Sequence, residues 1–134
     1  MTPIQQLMLG VGASKKTYLD DVFSTFLYTG TGGENRLINN GINLSGEGGM
    51  VWIKKRSTTS EGDHNIFDTV RGAGKWLESN TSDAEGGTDT YKLGAFNNNG
   101  FTVGSDGTVN ANTHTLSSWT FRKAPGFFDV VTYN

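Results

Sequence analysis

RLINNGINLSGEGGMVWIKK, residues 36–55, is the stretch that most clearly indicates how this chain folds. Two short apolar runs, 36–44 and 49–55, favour β-strands, and Asn40-Gly41 interrupts the first run with a dipeptide typical of tight turns. The glycine-rich segment 45–49 joins the two runs and provides a second turn. The stretch therefore predicts short strands joined by short connections.

The same pattern continues through most of the chain, with turn-forming residues in nearly every gap between apolar runs. Further strands are predicted at 22–29, 65–69, 75–78, 90–96, 100–103, 116–123 and 127–133. Strands at this density, with no convincing helical period after residue 20, predict an all-β, antiparallel β-sandwich or jelly roll. Trp52 and Trp119 are predicted to lie in its core. Asp68 and Arg71 are predicted to pair across the turn after a strand.

Composition agrees with this fold class and argues against several kinds of partner. The chain has 134 residues, which suits one domain, and 19 of them are glycine. Its formal net charge is −2, so no basic field attracts nucleic acid or an anionic membrane. No apolar run is long enough to insert across a bilayer, and the absence of cysteine excludes disulfides and thiolate metal sites.

Residues 1–20 differ from the rest and are predicted to form a docking segment. Thr2 and Pro3 suit the start of a short helix, and Gly10 suits its end. The apolar side chains of this segment are Ile4, Leu7, Met8 and Leu9. A helix this short is marginal in water, so we expect these side chains to dock on a partner protein. A frayed terminus is the alternative.

The end of the chain repeats an earlier strand. VFSTFLY at 22–28 and FFDVVTY at 127–133 both run through aromatic and β-branched residues to a tyrosine, and the distance between them is about one sandwich domain. The repeat predicts that 21–126 form the sandwich module and that 127–134 begin the first strand of a following module. The alternative is that 127–134 close the sheet of the same domain.

Four stretches of the chain resemble one family of proteins. They are GGMVWIKKR at 48–56, HNIFDTVRG at 64–72, FNNNGFTVG at 96–104 and WTFRKAPGFFDVV at 119–131. In this order they resemble the concanavalin A-like, laminin-G-like jelly-roll modules found in structural and tail-fibre proteins of tailed phages, including marine phages and cyanophages. The resemblance covers about residues 15–134, and the family supplies no catalytic residues to transfer to this chain.

The resemblance implies a virion structural protein, the N-terminal, particle-proximal part of a tail fibre or tail appendage that anchors it to the tail. Its partners would be other tail proteins, such as an adaptor, nozzle or baseplate, and it would form a homotrimer. It would be assembled in the host bacterial cytoplasm and reside in the virion tail. One alternative is a lectin-like module that binds a host-surface glycan through Trp76, Tyr91 and Phe101, and a further alternative is a capsid decoration protein.

Patterns typical of enzymes are incomplete in this sequence. Glu61-Gly62-Asp63 begins the Glu-x-Asp-x-x-Glu pattern of sandwich glucanases, but Ile66 occupies the position of the second glutamate. His64 and His114 lack the spacing of zinc ligands. Gly72-Ala73-Gly74-Lys75 is followed by tryptophan where a phosphate loop requires serine or threonine. We therefore predict that the chain is not an enzyme and binds no cofactor or metal.

Overall fold

The computed structural model describes residues 16–57 and 62–134, and within these ranges the fold is all-β, as predicted. Its strands are β1 (Phe23–Thr29), β2 (Arg36–Asn39), β3 (Gly49–Lys55), β4 (Asn65–Asp68), β5 (Leu77–Glu78), β6 (Leu93–Asn97), β7 (Gly100–Val103) and β8 (Thr115–Arg122). Two short helices are α1 (Leu19–Val22) and α2 (Gly107–Asn110), and the sequence predicted neither of them. The predicted docking residues Ile4, Leu7, Met8 and Leu9 lie outside the described residues.

The strands form two antiparallel sheets that pack as a β-sandwich. The larger sheet has the order β1-β8-β3-β4-β5, and the smaller sheet has the order β2-β7-β6. β8 pairs through residues 115–121 with β1 on one side and through residues 116–122 with β3 on the other. The last strand of the described chain therefore joins two strands from its first half.

The core lies between the two sheets, and in β3 and β4 it takes alternate residues of the strand. In β3, Val51 and Ile53 are fully buried, whereas Met50 and Trp52 are only partly buried. This alternation follows from the two-residue period of a strand, which sends successive side chains to opposite faces. The core residues are Tyr28, Ile38, Ile42, Leu44, Val51, Ile53, Phe67, Leu93, Phe101, Val103, Val109 and Leu116.

Trp52 and Trp119 do not lie in the core, so the prediction made for them from the sequence is wrong. The two residues are cross-strand partners on the outside of the larger sheet. Their partnered neighbours Val51 and Thr120 are fully buried and take the inward positions. Because faces alternate along a strand, burying Val51 turns Trp52 outward. The sequence around Trp52 is apolar at both alternating sets of positions, so the pattern alone did not identify the inward set.

The buried side chain of Asn110 connects α2 to the loop between β1 and β2. Its Nδ2 donates to the carbonyl of Gly33 at 2.8 Å and to that of Gly104 at 2.9 Å. Its Oδ1 accepts from the backbone N–H of Thr31 at 3.0 Å and from Nη1 of Arg36 at 3.2 Å. The amide thereby uses its two donors and both acceptor positions, which offsets the free-energy cost of burying it.

Residues 127–134 form no strand in the described structure, so the alternative of a closing strand is wrong. A turn at Pro125-Gly126 folds the chain back. The N–H of Ala124 then donates to the carbonyl of Phe128 at 3.0 Å, and the N–H of Phe128 donates to the carbonyl of Ala124 at 3.2 Å. Both edges of β8 are already occupied by β1 and β3, so the segment cannot add to β8. That 127–134 begin a following module stays a prediction.

Candidate functional site

The outside of the larger sheet carries two adjoining rows of apolar side chains. We call this surface the outer face and define it by Phe23, Met50, Trp52, Ile66, Leu77, Trp119 and Phe121, all of which are partly exposed. Strand register forms the first row from Trp119, Trp52, Ile66 and Leu77 and the second from Phe23, Phe121 and Met50. At a strand spacing of about 4.8 Å, the first row is about 14 Å long.

Phenylalanine rings pack on one another at the β1 side of the outer face. The ring centroids of Phe23 and Phe121 are 4.9 Å apart. The Pro125-Gly126 turn returns two further rings to β8, with Phe128 at 5.2 Å and Phe127 at 6.4 Å from Phe121. Phe127 nevertheless remains 42% exposed, so this cluster extends the apolar surface beyond the sheet itself.

Trp52 has a defined orientation near the centre of the outer face. Its ring meets that of Trp119 edge-on, with centroids 5.8 Å apart and planes inclined at 64°. Its Nε1 donates to Nδ1 of His64 at 2.8 Å, which requires the neutral imidazole with its proton on Nε2. Burial, followed by the nearby charge of Lys54, lowers the pKa of His64, while Asp63 acts in the opposite direction. The lowered pKa favours the neutral form that accepts this hydrogen bond.

The geometry of the outer face suits packing against another polypeptide. Rings that meet edge-on, as Trp52 and Trp119 do, do not form a coplanar surface on which a flat ligand stacks. They form an uneven apolar surface of the kind that side chains of a second protein interdigitate with.

A second surface is an open cleft on the outside of the smaller sheet. This Tyr91 cleft has a volume of about 400 Å³ and is lined by Glu34, Asn35, Leu37, Thr90, Tyr91, Gly94, Ala95, Thr102, Val103 and Gly104. Tyr91 and Leu37 are 57% and 61% exposed. The cleft therefore combines two exposed apolar side chains with polar groups from Glu34, Asn35 and Thr90.

The structure does not bring the three predicted glycan contacts together. Phe101 is fully buried in the core, so its prediction as a surface contact is wrong. Trp76 is half-buried, its Nε1 donates to Oε1 of Glu78 at 3.2 Å, and Nζ of Lys92 lies 4.6 Å from the centroid of its ring. Trp76 therefore contacts other side chains of the same domain, whereas Tyr91 lies at a surface cleft. Phe101 follows an Asn-Gly turn, and its inward position depends on the pairing register that the sequence does not reveal.

Charged side chains after β4 form an ion-pair cluster. Arg71 pairs through Nη1 with Asp68, as predicted from the sequence, and its Nε lies 2.8 Å from Oε2 of Glu85. The hydrogen bond that Arg71 donates to the Asp68 carboxylate is the largest cause that raises the pKa of Arg71. Among residues 16–57 and 62–134, no three His, Cys, Asp or Glu side chains lie together so that they could hold a metal ion. No helix in these ranges has the length and apolar character needed to cross a membrane.

The comparisons with known proteins identify a family. No curated protein and no solved structure matches the chain. A family model described as Domain of unknown function (DUF7483) matches residues 19–128. This match includes α1, all the described strands and the bridge between Ala124 and Phe128. Because it covers most of the sequence, the chain belongs to the family Domain of unknown function (DUF7483).

Proposed function

We propose that this chain is a structural module of a phage virion, in the particle-proximal part of a tail fibre or tail appendage. In this proposal its outer face packs against a neighbouring protein of the assembly. The outer face is the observation that carries the proposal, since its aromatic side chains stay partly exposed in the single chain. Removing apolar surface from water is worth about 25 cal/mol per Å², so a partner that covers these rings gains binding free energy.

The resemblance of four ordered stretches to tailed-phage modules supports placing this assembly in a virion tail. In this role the sandwich is a packing and spacing unit, and residues 1–20 attach it to an adaptor, nozzle or baseplate protein. The module would be assembled in the host cytoplasm as a homotrimer. We infer a non-catalytic role, in keeping with the structural tasks of the polar cluster at Asp68 and Arg71 and of the buried Asn110.

The outer face can be tested by replacing Trp52 and Trp119 with threonine, which keeps a good strand former at both positions. The double variant should fold, as judged by circular dichroism, but be depleted at least about tenfold from phage particles, the factor that a loss of about 1.4 kcal/mol produces. Leu37→Thr is the matched control, because Leu37 is a comparably apolar residue on the outside of the smaller sheet. Normal incorporation of the folded double variant would contradict the proposal.

Attachment to the tail can be tested separately by deleting residues 1–14. We expect the shortened protein to retain its unfolding midpoint and to be lost from tails. Immunogold labelling of particles distinguishes tail from capsid, and capsid labelling would favour the decoration-protein alternative. Native mass spectrometry of the full chain should give a trimer, and a monomer at micromolar concentration would count against a fibre.

A further inference from the structure

We propose that the Tyr91 cleft binds a neutral pyranose ring of a glycan. This inference goes beyond the proposed function, because it concerns a different surface and a different kind of ligand. The outer face lies on the larger sheet, whereas the Tyr91 cleft lies over the smaller sheet, where β2 begins, β7 ends and β6 begins.

A β-bulge shapes the floor of the cleft. The pairing of β6 with β7 passes from Leu93↔Val103 directly to Ala95↔Thr102, so Gly94 is an extra residue in the ladder. Bulges re-aim the neighbouring side chains and are common beside binding sites. Because Gly94 and Ala95 are small, the floor leaves room above the sheet for a ligand.

The backbone of Tyr91 is fixed while its side chain is exposed. Its N–H donates to Oδ1 of Asp89 at 2.8 Å, and its carbonyl accepts from the N–H of Asp106 at 2.9 Å. Gly104 packs so closely that a Cβ atom there would lie 2.4 Å from the Tyr91 carbonyl oxygen. An aromatic side chain on a backbone held in this way loses little conformational entropy when a ligand contacts it.

The other lining groups complement the two kinds of surface on a sugar. A pyranose ring has C–H faces, which suit the ring of Tyr91 and the side chain of Leu37, the latter 61% exposed. Its hydroxyl groups project from the edge and both donate and accept hydrogen bonds. The carboxylate of Glu34, the carboxamide of Asn35 and the hydroxyl of Thr90 line the same cleft and offer acceptors and donors to them.

The volume of the Tyr91 cleft and the charge of its lining limit which ligands it can bind. The volume of about 400 Å³ lies within the range of small-molecule sites, which runs from roughly 300 to 1,000 Å³. Of the described residues that line the cleft, Glu34 alone carries a charge, and that charge is negative. The negative charge of Glu34 repels anionic ligands, so we expect neutral hexoses to bind in preference to uronic acids.

Titration of the full chain, followed by chemical shifts in two-dimensional NMR, tests the site. The probes are the methyl glycosides of glucose, mannose and galactose, with glucuronic acid as the anionic comparison. At least one neutral glycoside should bind, and Tyr91→Ala should weaken it about tenfold. Tyr133→Ala is the matched control, because Tyr133 is 92% exposed and is not among the residues that line the cleft.

Two further variants test the charge selectivity of the cleft and its independence from the outer face. Glu34→Gln should raise the affinity for glucuronic acid relative to the neutral glycosides. The Trp52 and Trp119 double variant should keep its sugar binding. Sugar binding and incorporation into particles therefore test the cleft and the outer face independently. No binding by any glycoside of the panel, or binding unchanged in a folded Tyr91→Ala protein, overturns the proposal. Equal affinity for glucuronic acid and the neutral glycosides overturns its charge selectivity.

Discussion

His64 links the protonation of one side chain to the geometry of the outer face. In the neutral form, Nδ1 accepts the hydrogen bond from Nε1 of Trp52 at 2.8 Å. Protonation places a hydrogen on Nδ1, which then no longer accepts. The folded state therefore resists protonation, in agreement with the lowered pKa that burial and Lys54 produce.

The free energy of unfolding should consequently fall on acidification. The pKa of His64 is lowered in the folded state relative to the ordinary value of 6.5, so the unfolded chain binds the proton more readily. This contribution to stability is complete above pH 6.5 and decreases as the pH falls through 6.5 towards the folded-state pKa. Urea unfolding at about pH 8 and about pH 5 measures it.

Two histidine variants test whether His64 causes this pH dependence of the unfolding free energy. His64→Asn places Oδ1 near the position of Nδ1 and cannot be protonated in this range, so it should reduce the difference in urea midpoint between the two pH values. His114→Asn changes the other histidine and should leave the difference intact. If His64→Asn keeps the wild-type difference, His64 is not its source.

Sequence separation decided which polar interactions could be predicted. Asp68 and Arg71 are three residues apart and follow a strand, so a local turn brings them together. The hydrogen bond from Asn110 to the Gly33 carbonyl spans 77 residues, and no local sequence pattern predicts it. Only the folded topology places α2 beside the loop after β1.

Predicted and observed strands differ where apolar residues are buried without strand pairing. The segment 36–44 was predicted as strand, but β2 ends at Asn39. Ile42 and Leu44 are buried in the core, and the N–H of Leu44 donates to the carbonyl of Asn97 at 2.8 Å outside the ladders. Their alternation therefore reflects burial of a loop, which has the same sequence pattern as a half-buried strand.

The turn between β6 and β7 depends on Gly100. Its φ is +138°, and a Cβ atom would lie 1.9 Å from the carbonyl oxygen of Ile38 on the neighbouring strand. Gly100→Ala should lower the free energy of unfolding by roughly 2 to 4 kcal/mol, through backbone strain and displacement of β2. Thermal and urea unfolding measure this loss.

Gly87 provides the matched control for that substitution. A Cβ atom there would have no neighbour within 4 Å, and its backbone is not in the left-handed region. Gly87→Ala should change the free energy of unfolding by less than about 0.5 kcal/mol. Similar losses in the two variants would show that close packing at Gly100 is not responsible.

At the scale of the whole molecule, the fold class was predictable and the use of its surfaces was not. The density of strand and turn patterns was sufficient to predict a β-sandwich, because each pattern depends on near neighbours in the chain. Which side of β3 faces solvent depends on the second sheet, to which Phe101 and Ile38 contribute. The outer face was consequently missed, and its two tryptophans were predicted as core.

The end of the folded module can be located by truncation. Phe127 and Phe128 pack on Phe121, whereas the segment 129–134 contributes an exposed pair between Asp129 and Lys123 at 2.9 Å. Such exposed pairs contribute little to stability, because water and salt screen the two charges. A chain that ends at residue 128 should therefore keep the unfolding midpoint of the full chain.

A chain that ends at residue 124 should be less stable by about 1–3 kcal/mol, because it loses both phenylalanine rings. Calorimetry of the three lengths gives the comparison. A large loss already on removing 129–134 would show that this segment contributes to the fold in a way that its contacts do not suggest.

The position of β8 in the larger sheet also governs how the protein is made. The hydrogen bond from Ser118 to the Phe26 carbonyl spans 92 residues, and contacts this distant slow folding. During translation, β1 and β3 leave the ribosome early but have no strand between them until residues 115–122 follow. Unpaired strand edges promote aggregation, so a nascent or prematurely terminated chain is exposed to misassociation until residues 115–122 have been made. We therefore expect chains that stop before β8 to aggregate more readily than chains that include it.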